Sequence, residues 1–417
     1  MYQSKYNIIQ NSKNKVIVYN TFSGGIISLN QEEFSVLNGI EKDAYDSNNK
    51  HALLYDELLR GNFIETEYGE QLNKLKFESY YSRYSKNEIS LTIAPTTNCN
   101  FRCPYCYEKG IKYEDMSDEV VKNVIDFINS QNTDVINICW YGGEPLLEID
   151  TIEKIIKGIR KDGLTINNSI VTNGYLLDGC VRDKLKELNI LNIQITIDGP
   201  EFIHDKRRFR FDGGKTFRAI IENITHLCKD AHISLRVNVD KTNIGYIDNL
   251  MEYLEKEGIL DNVHIYLAPV DDINMSLPNS DDLYINYDEN DFTLKQKDFL
   301  KRMLLKNGDD IFEERNPYLC GAVSPHSLLI DPLGDLYKCW NDIGRKEYKI
   351  GNIKDGVVES DKLYKWLSYD PFRDEECINC SVFPICLNGC PYSVIRKNKK
   401  ICDSNKNNYK ELLTTFL

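Results

Sequence analysis

Residues 96–108 read Thr96-Thr97-Asn98-Cys99-Asn100-Phe101-Arg102-Cys103-Pro104-Tyr105-Cys106-Tyr107-Glu108, and three cysteines within them fall at the spacing C-x3-C-x2-C. Three thiolates on one short loop can hold three corners of an iron-sulfur cube. A 4Fe-4S cluster ordinarily takes four cysteines. With no fourth nearby, the spacing predicts one iron left open to another ligand. Zinc is the competing reading, but structural zinc takes four closed ligands and usually pairs C-x2-C with a second knuckle or with histidines. The six histidines form no His-x3-His or His-x4-His pair.

Outward from this loop, six apolar, β-rich runs (89–94, 135–141, 169–172, 191–198, 233–239 and 263–268) alternate with helical patterns. Such alternation predicts parallel strands with crossover helices. Val120, Val121, Val124, Ile125 and Ile128 keep helical spacing behind the N-cap candidate Ser117, and Thr216 is expected to cap a helix over 217–229. Six units are too few for a closed eight-stranded barrel. The cysteine loop follows the first strand, at the carboxyl end where parallel-barrel active sites lie. After the second strand comes Gly142-Gly143-Glu144-Pro145, whose missing side chains let backbone approach a ligand closely.

The triad with Tyr105 before its third cysteine resembles the signature of the radical S-adenosylmethionine (SAM) superfamily. Gly-Gly-Glu-Pro resembles that family's motif for the methionyl amine of SAM. Thr196-Ile197-Asp198-Gly199-Pro200 and His204-Asp205-Lys206-Arg207-Arg208 resemble the Ser/Thr-x-Asp-Gly-Pro and His-Asp-x-x-Arg signature of maturases with a cysteine-rich carboxyl-terminal domain. The resemblance implies an α/β fold with a partial (β/α)6 TIM barrel over 87–270 and a fourth iron chelated by SAM. It places Gly142, Gly143 and Glu144 at the methionyl amine, Thr196 and Arg208 at the ribose and carboxylate, and Tyr105 and Leu267 beside the adenine. Asn173 is a further candidate contact, and for Asp198 a turn-forming Asp-Gly is an equal reading. Arg236 and Asn238 share one strand face. His204 is read as structural, and Cys139, Cys180 and Cys228 as small buried residues.

The second cysteine set, Cys320, Cys339, Cys377, Cys380, Cys386, Cys390 and Cys402, follows an acidic linker over 271–316 that holds a helix at about 293–306. Its spacing, C-x13-G-x4-C and then C-x2-C-x5-C-x3-C-x11-C, resembles the SPASM domain, here 317–417, which implies two auxiliary 4Fe-4S clusters and three in all. In that pattern Cys377, Cys380, Cys386 and Cys402 bind the distal cluster. Cys320, Cys339 and Cys390 are left for a proximal one that is a ligand short. Either an open iron or a non-cysteine such as His326 completes it, and an open iron suits a substrate thiolate.

Residues 1–86 predict a small hairpin-based sheet, a helix capped by Asn30, a second helix over 51–60, a wing at 62–67 and a polar helix to about 85. This order resembles the winged-helix recognition element of peptide-modifying enzymes, which takes a leader peptide as an added strand. The net charge of −13, with 64 acidic and 51 basic residues, argues against a nucleic-acid groove. No apolar run approaches a bilayer span and the start lacks a signal-peptide pattern, so the expected location is the cytoplasm. There, thirteen cysteines point to metal ligation rather than disulfides. The expected activity is formation of carbon-sulfur (thioether) crosslinks in a cysteine-containing precursor peptide with a leader, with a flavodoxin or ferredoxin as electron donor. The alternatives are a sulfatase-maturing enzyme, a carbon-carbon crosslinking maturase and a non-catalytic iron-sulfur carrier. Trp340 stands where sulfatase maturases have an aspartate after the second SPASM cysteine, with Asp342 close by.

Overall fold

The strands that carry the predicted site lie side by side in chain order. In the computed structural model, which describes residues 1–40, 51–160, 163–270, 290–307 and 312–417, the chain forms two compact units. One comprises Met1–Tyr84, Tyr287–Cys320 and Ser368–Leu417; the other comprises Ser85–Asn286 and Gly321–Leu367. Among the described residues no helix is long and apolar enough to cross a membrane.

The first unit begins with β1 (Tyr2–Gln3), β2 (Asn7–Asn11), β3 (Val16–Asn20) and β4 (Ile26–Leu29), of which the last three form an antiparallel sheet in the order β2-β3-β4. Asn30 caps α1 (Gln31–Asn38) through a capping box with Glu33. After α2 (Ala52–Arg60), β5 (Ile64–Glu65) falls within the expected wing and pairs antiparallel with β1, and α3 (Glu70–Tyr84) follows. Val16, Val18, Leu29, Leu37, Tyr55 and Leu58 form one core. On the other side of the sheet Ile17 and Tyr19 pack with Leu304 of the helix Asn290–Asn307 and with Tyr409 and Leu412. The rest of the acidic stretch, 271–289, lies outside the described residues.

The second unit is built on one ten-stranded sheet. Six strands, β6 (Glu88–Thr96), β7 (Val135–Gly142), β8 (Thr165–Thr172), β9 (Asn192–Thr196), β10 (His232–Val239) and β11 (Val263–Pro269), are parallel and adjacent in sequence order. Each of the first five is followed by helix, in turn α4 (Asp118–Ser130), α5 (Ile149–Gly158), α6 (Gly179–Glu187), the pair α7 (Glu201–Arg207) and α8 (Phe217–Leu227), and α9 (Ile247–Lys256). This is the order expected of a partial barrel. Beyond β6 the sheet continues through β12 (Ser327–Ile330), parallel to it, then β13 (Asp335–Tyr337), β14 (Gly351–Asn352) and β15 (Gly356–Val357), all antiparallel.

Period-two alternation sorts the faces. On β10, Ile233, Leu235, Val237 and Val239 are buried under the helices, while Arg236 and Asn238 line a cavity on the other face. On β6 the register shifts between Ile93 and Thr96, where Pro95 has no N–H to give the ladder.

Ser117 caps α4 as expected, accepting from the Val120 amide at 3.3 Å. Thr216 does not cap α8 with its side chain. Its hydroxyl donates to the Arg208 carbonyl, and Asp205 Oδ1 takes the amides of Thr216 and Phe217 at 3.0 and 2.9 Å. The carboxylate wins because it serves two amides at the positive end of the helix. Cys228 is buried and Cys139 partly so, but Cys180, in the first turn of α6, is exposed. Asp205→Ala is expected to destabilise this unit by about 1–2 kcal/mol, and Asp205→Asn by less because it keeps an acceptor; urea denaturation followed by circular dichroism measures both.

Candidate active site

The cysteine loop, from Thr97 to the start of α4, is held at both ends by backbone. Met116 donates to Pro95 O at 2.9 Å and Thr97 to Glu114 O at 3.0 Å. In its middle, Arg102 N bonds Phe209 O (2.9 Å) and Phe211 N bonds Asn100 O (3.0 Å), which ties the loop to the segment bearing Arg208. A cavity of about 650 Å3 lies against it, within the roughly 300–1,000 Å3 of small-molecule sites. Cys99, Cys103, Cys106, Tyr105, Gly142, Gly143, Asn173, Thr196 and Arg208 all line it. Leu267 does not: it is buried in β11, and the later residues Pro269 and Val270 reach the cavity instead.

Glu144 is fully buried and is not part of that lining. One oxygen accepts from Leu146 N (3.1 Å) and Thr172 Oγ1 (2.7 Å), the other from Asn173 N (2.7 Å). Burial raises its pKa, and these three donors oppose the rise. Its carboxylate therefore ties the end of β7 to the end of β8 and sets Asn173, whose amide nitrogen bonds Asn100 Oδ1 at 2.7 Å. The amide of Gly143 bonds Thr96 O and that of Glu144 bonds Asn98 O. A Cβ on Gly143 would lie 2.2 Å from Asn98 O, and one on Gly142 2.2 Å from Thr96 O. Only glycine allows this backbone contact.

Tyr105 is the centre of a buried polar network. Its hydroxyl meets Asp198 Oδ2, accepts from Arg208 Nη1 at 2.9 Å and lies 3.4 Å from Asn238 Nδ2. Arg207 lies over its ring at 5.0 Å and spans Asp198 (3.2 Å) and Asp240 (2.6 Å). Asp198 thus serves the network rather than the cavity wall. His204 is buried, with Nδ1 accepting from the Asp198 amide; burial holds its pKa well below the ordinary value and the ring stays neutral.

Trp340, singled out in the sequence, completes the wall together with residues that sequence reasoning passed over: Tyr107, Glu108, Tyr141 and Asn341. The Tyr107 hydroxyl lies 2.6 Å from that of Tyr141 and 3.1 Å from Glu108 Oε1, and Trp340 meets Tyr141 edge-on at 4.9 Å. Burial raises the Glu108 pKa to about 7, against the Tyr107 hydrogen bond. The signal was adjacency: Tyr107 and Glu108 follow Cys106 directly, and Tyr141 precedes Gly142.

Residues 93–254 match the Radical SAM superfamily. The chain carries a radical SAM domain. It is 24% identical to the radical SAM cyclopropyl synthase TigE of Paramaledivibacter caminithermalis, over 97% of this chain and 92% of that one. It is 26% identical to the cysteine-type anaerobic sulfatase-maturating enzyme of Clostridium novyi, over 75% of this chain and 89% of that one. Among solved structures, anSMEcpe with bound AdoMet aligns with a TM-score of 0.61 at 22% identity, covering 78% of this chain and 96% of that chain. SuiB of Streptococcus suis aligns at 0.54 and 15%, covering 94% and 95%. At these identities the structural likenesses are of fold.

A radical SAM domain implies a 4Fe-4S cluster and SAM, and the residues present fit both. Burial pushes the Cys99 and Cys103 thiols up and that of Cys106 up to about 12, so protein alone keeps them protonated. A bound cation reverses this, because a coordinating thiol is deprotonated outright. Among the described residues no three His, Cys, Asp or Glu side chains are drawn together closely enough to hold a single metal ion; a cube, with its irons apart, needs sulfurs spread around a cavity. Arg208 is buried and its Nε has no hydrogen-bond partner, which suits a carboxylate acceptor.

Of the second cysteine set, Cys377, Cys380, Cys386, Cys390, Cys402 and Cys320 belong to the first unit and Cys339 to the second. Burial raises the Tyr369 pKa, and the sulfurs of Cys377, Cys386 and Cys390 add to the rise. Through its backbone, His326 joins the edge of β6, its carbonyl accepting from Ser90 N at 2.9 Å. Arg208→Lys, which loses the planar fork, is expected to weaken SAM binding about tenfold or more at unchanged iron content. Equilibrium binding to the reconstituted protein checks this.

Proposed function

We propose that this radical SAM enzyme modifies a ribosomally made, cysteine-containing precursor peptide, joining a cysteine sulfur to a carbon of the same peptide. The observation that carries the reading is Trp340. At the position where the resemblance to sulfatase maturases calls for an acid there is an indole, and it lines the cavity beside Tyr141. When bound, the cluster and SAM supply a 5'-deoxyadenosyl radical that removes hydrogen from carbon, chemistry that belongs to the cofactor. The chain's part is to bind, orient and exclude water. Arg208, Thr196 and Asn173 would hold SAM, and the glycine backbone at 142–143 admits it closely. Tyr107, Tyr141 and Trp340 form an aromatic wall that keeps water from the reacting carbon.

The first unit supports a role in holding the peptide. Its strand β4 pairs on one side only, with β3, among the described residues, and such an edge suits a leader added as a strand in a winged-helix-like recognition element. The SPASM reading gives Cys377, Cys380, Cys386 and Cys402 one auxiliary 4Fe-4S cluster. Cys320, Cys339 and Cys390 take a second that is a ligand short and so has room for a substrate thiolate, making three clusters with that of Cys99, Cys103 and Cys106. Reduction would come from a flavodoxin or ferredoxin, in the cytoplasm.

Two other readings have observations in their favour. Buried Asp342, two residues beyond Trp340, and the likeness to sulfatase-maturating enzymes favour oxidation of a cysteine or serine to formylglycine. The likeness to a cyclopropyl synthase over nearly the whole chain favours carbon-carbon bond formation. A short cysteine-containing precursor peptide is expected to be encoded beside this chain, and its anaerobic reaction with SAM and a reductant separates the three by intact and tandem mass spectrometry. Loss of two hydrogens per link with the cysteine blocked to alkylation is expected. A modified peptide whose thiols still alkylate overturns the sulfur-carbon linkage.

Cys99→Ala is expected to abolish SAM cleavage, whereas Cys377→Ala keeps part of the cleavage and forms little linked product. Chromatography of 5'-deoxyadenosine and of the peptide reads both, and equal loss of both activities in the two variants would assign the cysteines to folding alone.

A further inference from the structure

Glu108 is the only carboxylic acid among the described residues that line the cavity. Two nearby buried acids lie outside that lining: Glu144 is taken up by Leu146, Thr172 and Asn173, and Asp198 places Oδ2 on Tyr105 and Arg207 while its other oxygen, also without a hydrogen-bond partner, is buried away from the cavity wall. Glu108 is 8% exposed. Its Oε1 accepts from Tyr107, which is backed in turn by Tyr141, so the side chain is fixed from one side. Its Oε2 is buried and has no hydrogen-bond partner. A buried acceptor left open beside a cavity is costly unless something that enters the cavity satisfies it.

What enters cannot be the acidic end of SAM, which a carboxylate repels. A cationic side chain is also a poor match, because Arg102, Lys109, Arg208 and Arg236 already line the same cavity against this single acid. A neutral N–H fits. Resting on the reading of a peptide substrate, we propose that Glu108 Oε2 accepts the backbone N–H of the substrate residue that is modified, with Tyr107 and Tyr141 acting as positioning residues for Glu108. A backbone contact fixes the α-carbon and the first side-chain carbon relative to the cavity whatever the side chain is. It therefore orients the attacked residue without demanding one identity.

The test is a binding cycle on the reconstituted, unreduced enzyme, so that no turnover intervenes. The probes are the cysteine-containing precursor peptide expected to be encoded beside this chain and versions of it singly N-methylated on the backbone around the modified residue. One N-methylated peptide is expected to bind the wild type at least about tenfold more weakly than its parent, and Glu108→Ala is expected to weaken the parent by a similar factor. The two changes together are expected to cost no more than either alone, the mark of a shared contact. Glu108→Ala binding the parent as tightly as wild type overturns the proposal, and so do losses that multiply. Should Glu108→Ala fail to load iron, Glu108→Asp, which withdraws the oxygen by one methylene, enters the same cycle with the same expected and overturning results. A wild type that neither binds the parent peptide nor cleaves SAM faster in its presence sinks the peptide reading itself. Wild-type binding with an indifferent Glu108→Ala sinks only the role of Glu108.

Discussion

Backbone pressed on backbone is the constraint on which the site depends. Gly142 and Gly143, at the end of β7, lie so close to Thr96, Thr97 and Asn98 that a Cβ on Gly143 would fall 2.2 Å from the Asn98 carbonyl. The contact is also bonded, through the amides of Gly143 and Glu144. Side-chain packing tolerates a shift of a few tenths of an ångström, but two peptide planes in contact do not. The cysteine loop therefore leaves β6 in one direction, and all three cysteines line one cavity. Glu144 extends the constraint sideways to β8 by placing both of its oxygens on donors, Leu146 and Thr172 on one and Asn173 on the other.

Charge is arranged around the same point. Arg207 is neutralised by Asp198 and Asp240 within the protein. Arg208 meets the phenol of Tyr105 and the π face of Phe101, neither of which is a full counter-charge. Its positive charge is thus left to whatever anion occupies the cavity: thiolates, a SAM carboxylate or both. Buried charge is expensive when unpaired, and the neighbouring cysteines, made thiolates by a metal, are the natural compensation. Arg207 and Arg208 are adjacent in sequence and opposite in placement: one locks the scaffold, the other lines the cavity.

Much of this was legible in the sequence because it is local. The spacing of Cys99, Cys103 and Cys106, the period-two alternation of β10 and the Ser117 cap are each decided within a few residues. Glu144 was legible as a charge expected beside a cationic cofactor, but its bond to Thr172 at the end of β8, some 28 residues away, was not. Thr216 failed as a cap for a similar reason, since Asp205 reaches it from the preceding helix. Leu267 follows from a family pattern tied to a strand end, and the cavity is instead met at Pro269 and Val270. Compact grouping of distant segments, such as 1–84 with 287–320 and 368–417, depends on long-range packing of Tyr19 with Phe312 and Tyr409 that no local pattern encodes.

The cavity has two kinds of wall, with different histories in the chain. The residues that fit SAM and the cluster come from β6 to β10 and their loops, within 93–254. Trp340 and Asn341 come from beyond β13, after the sheet has been extended past β6. β12 and β13 pair with the flank of that sheet and with β14, and residues after them reach back to the cysteine loop: Arg345 Nη2 donates to the Tyr107 carbonyl at 3.2 Å, and Ile343 packs with Ala94, Tyr107 and Ile111. In this chain the wall carries an indole packed against Tyr141, which is joined through Tyr107 to Glu108, so the second wall is coupled to the one cavity acid among the described residues, whose second oxygen has no hydrogen-bond partner.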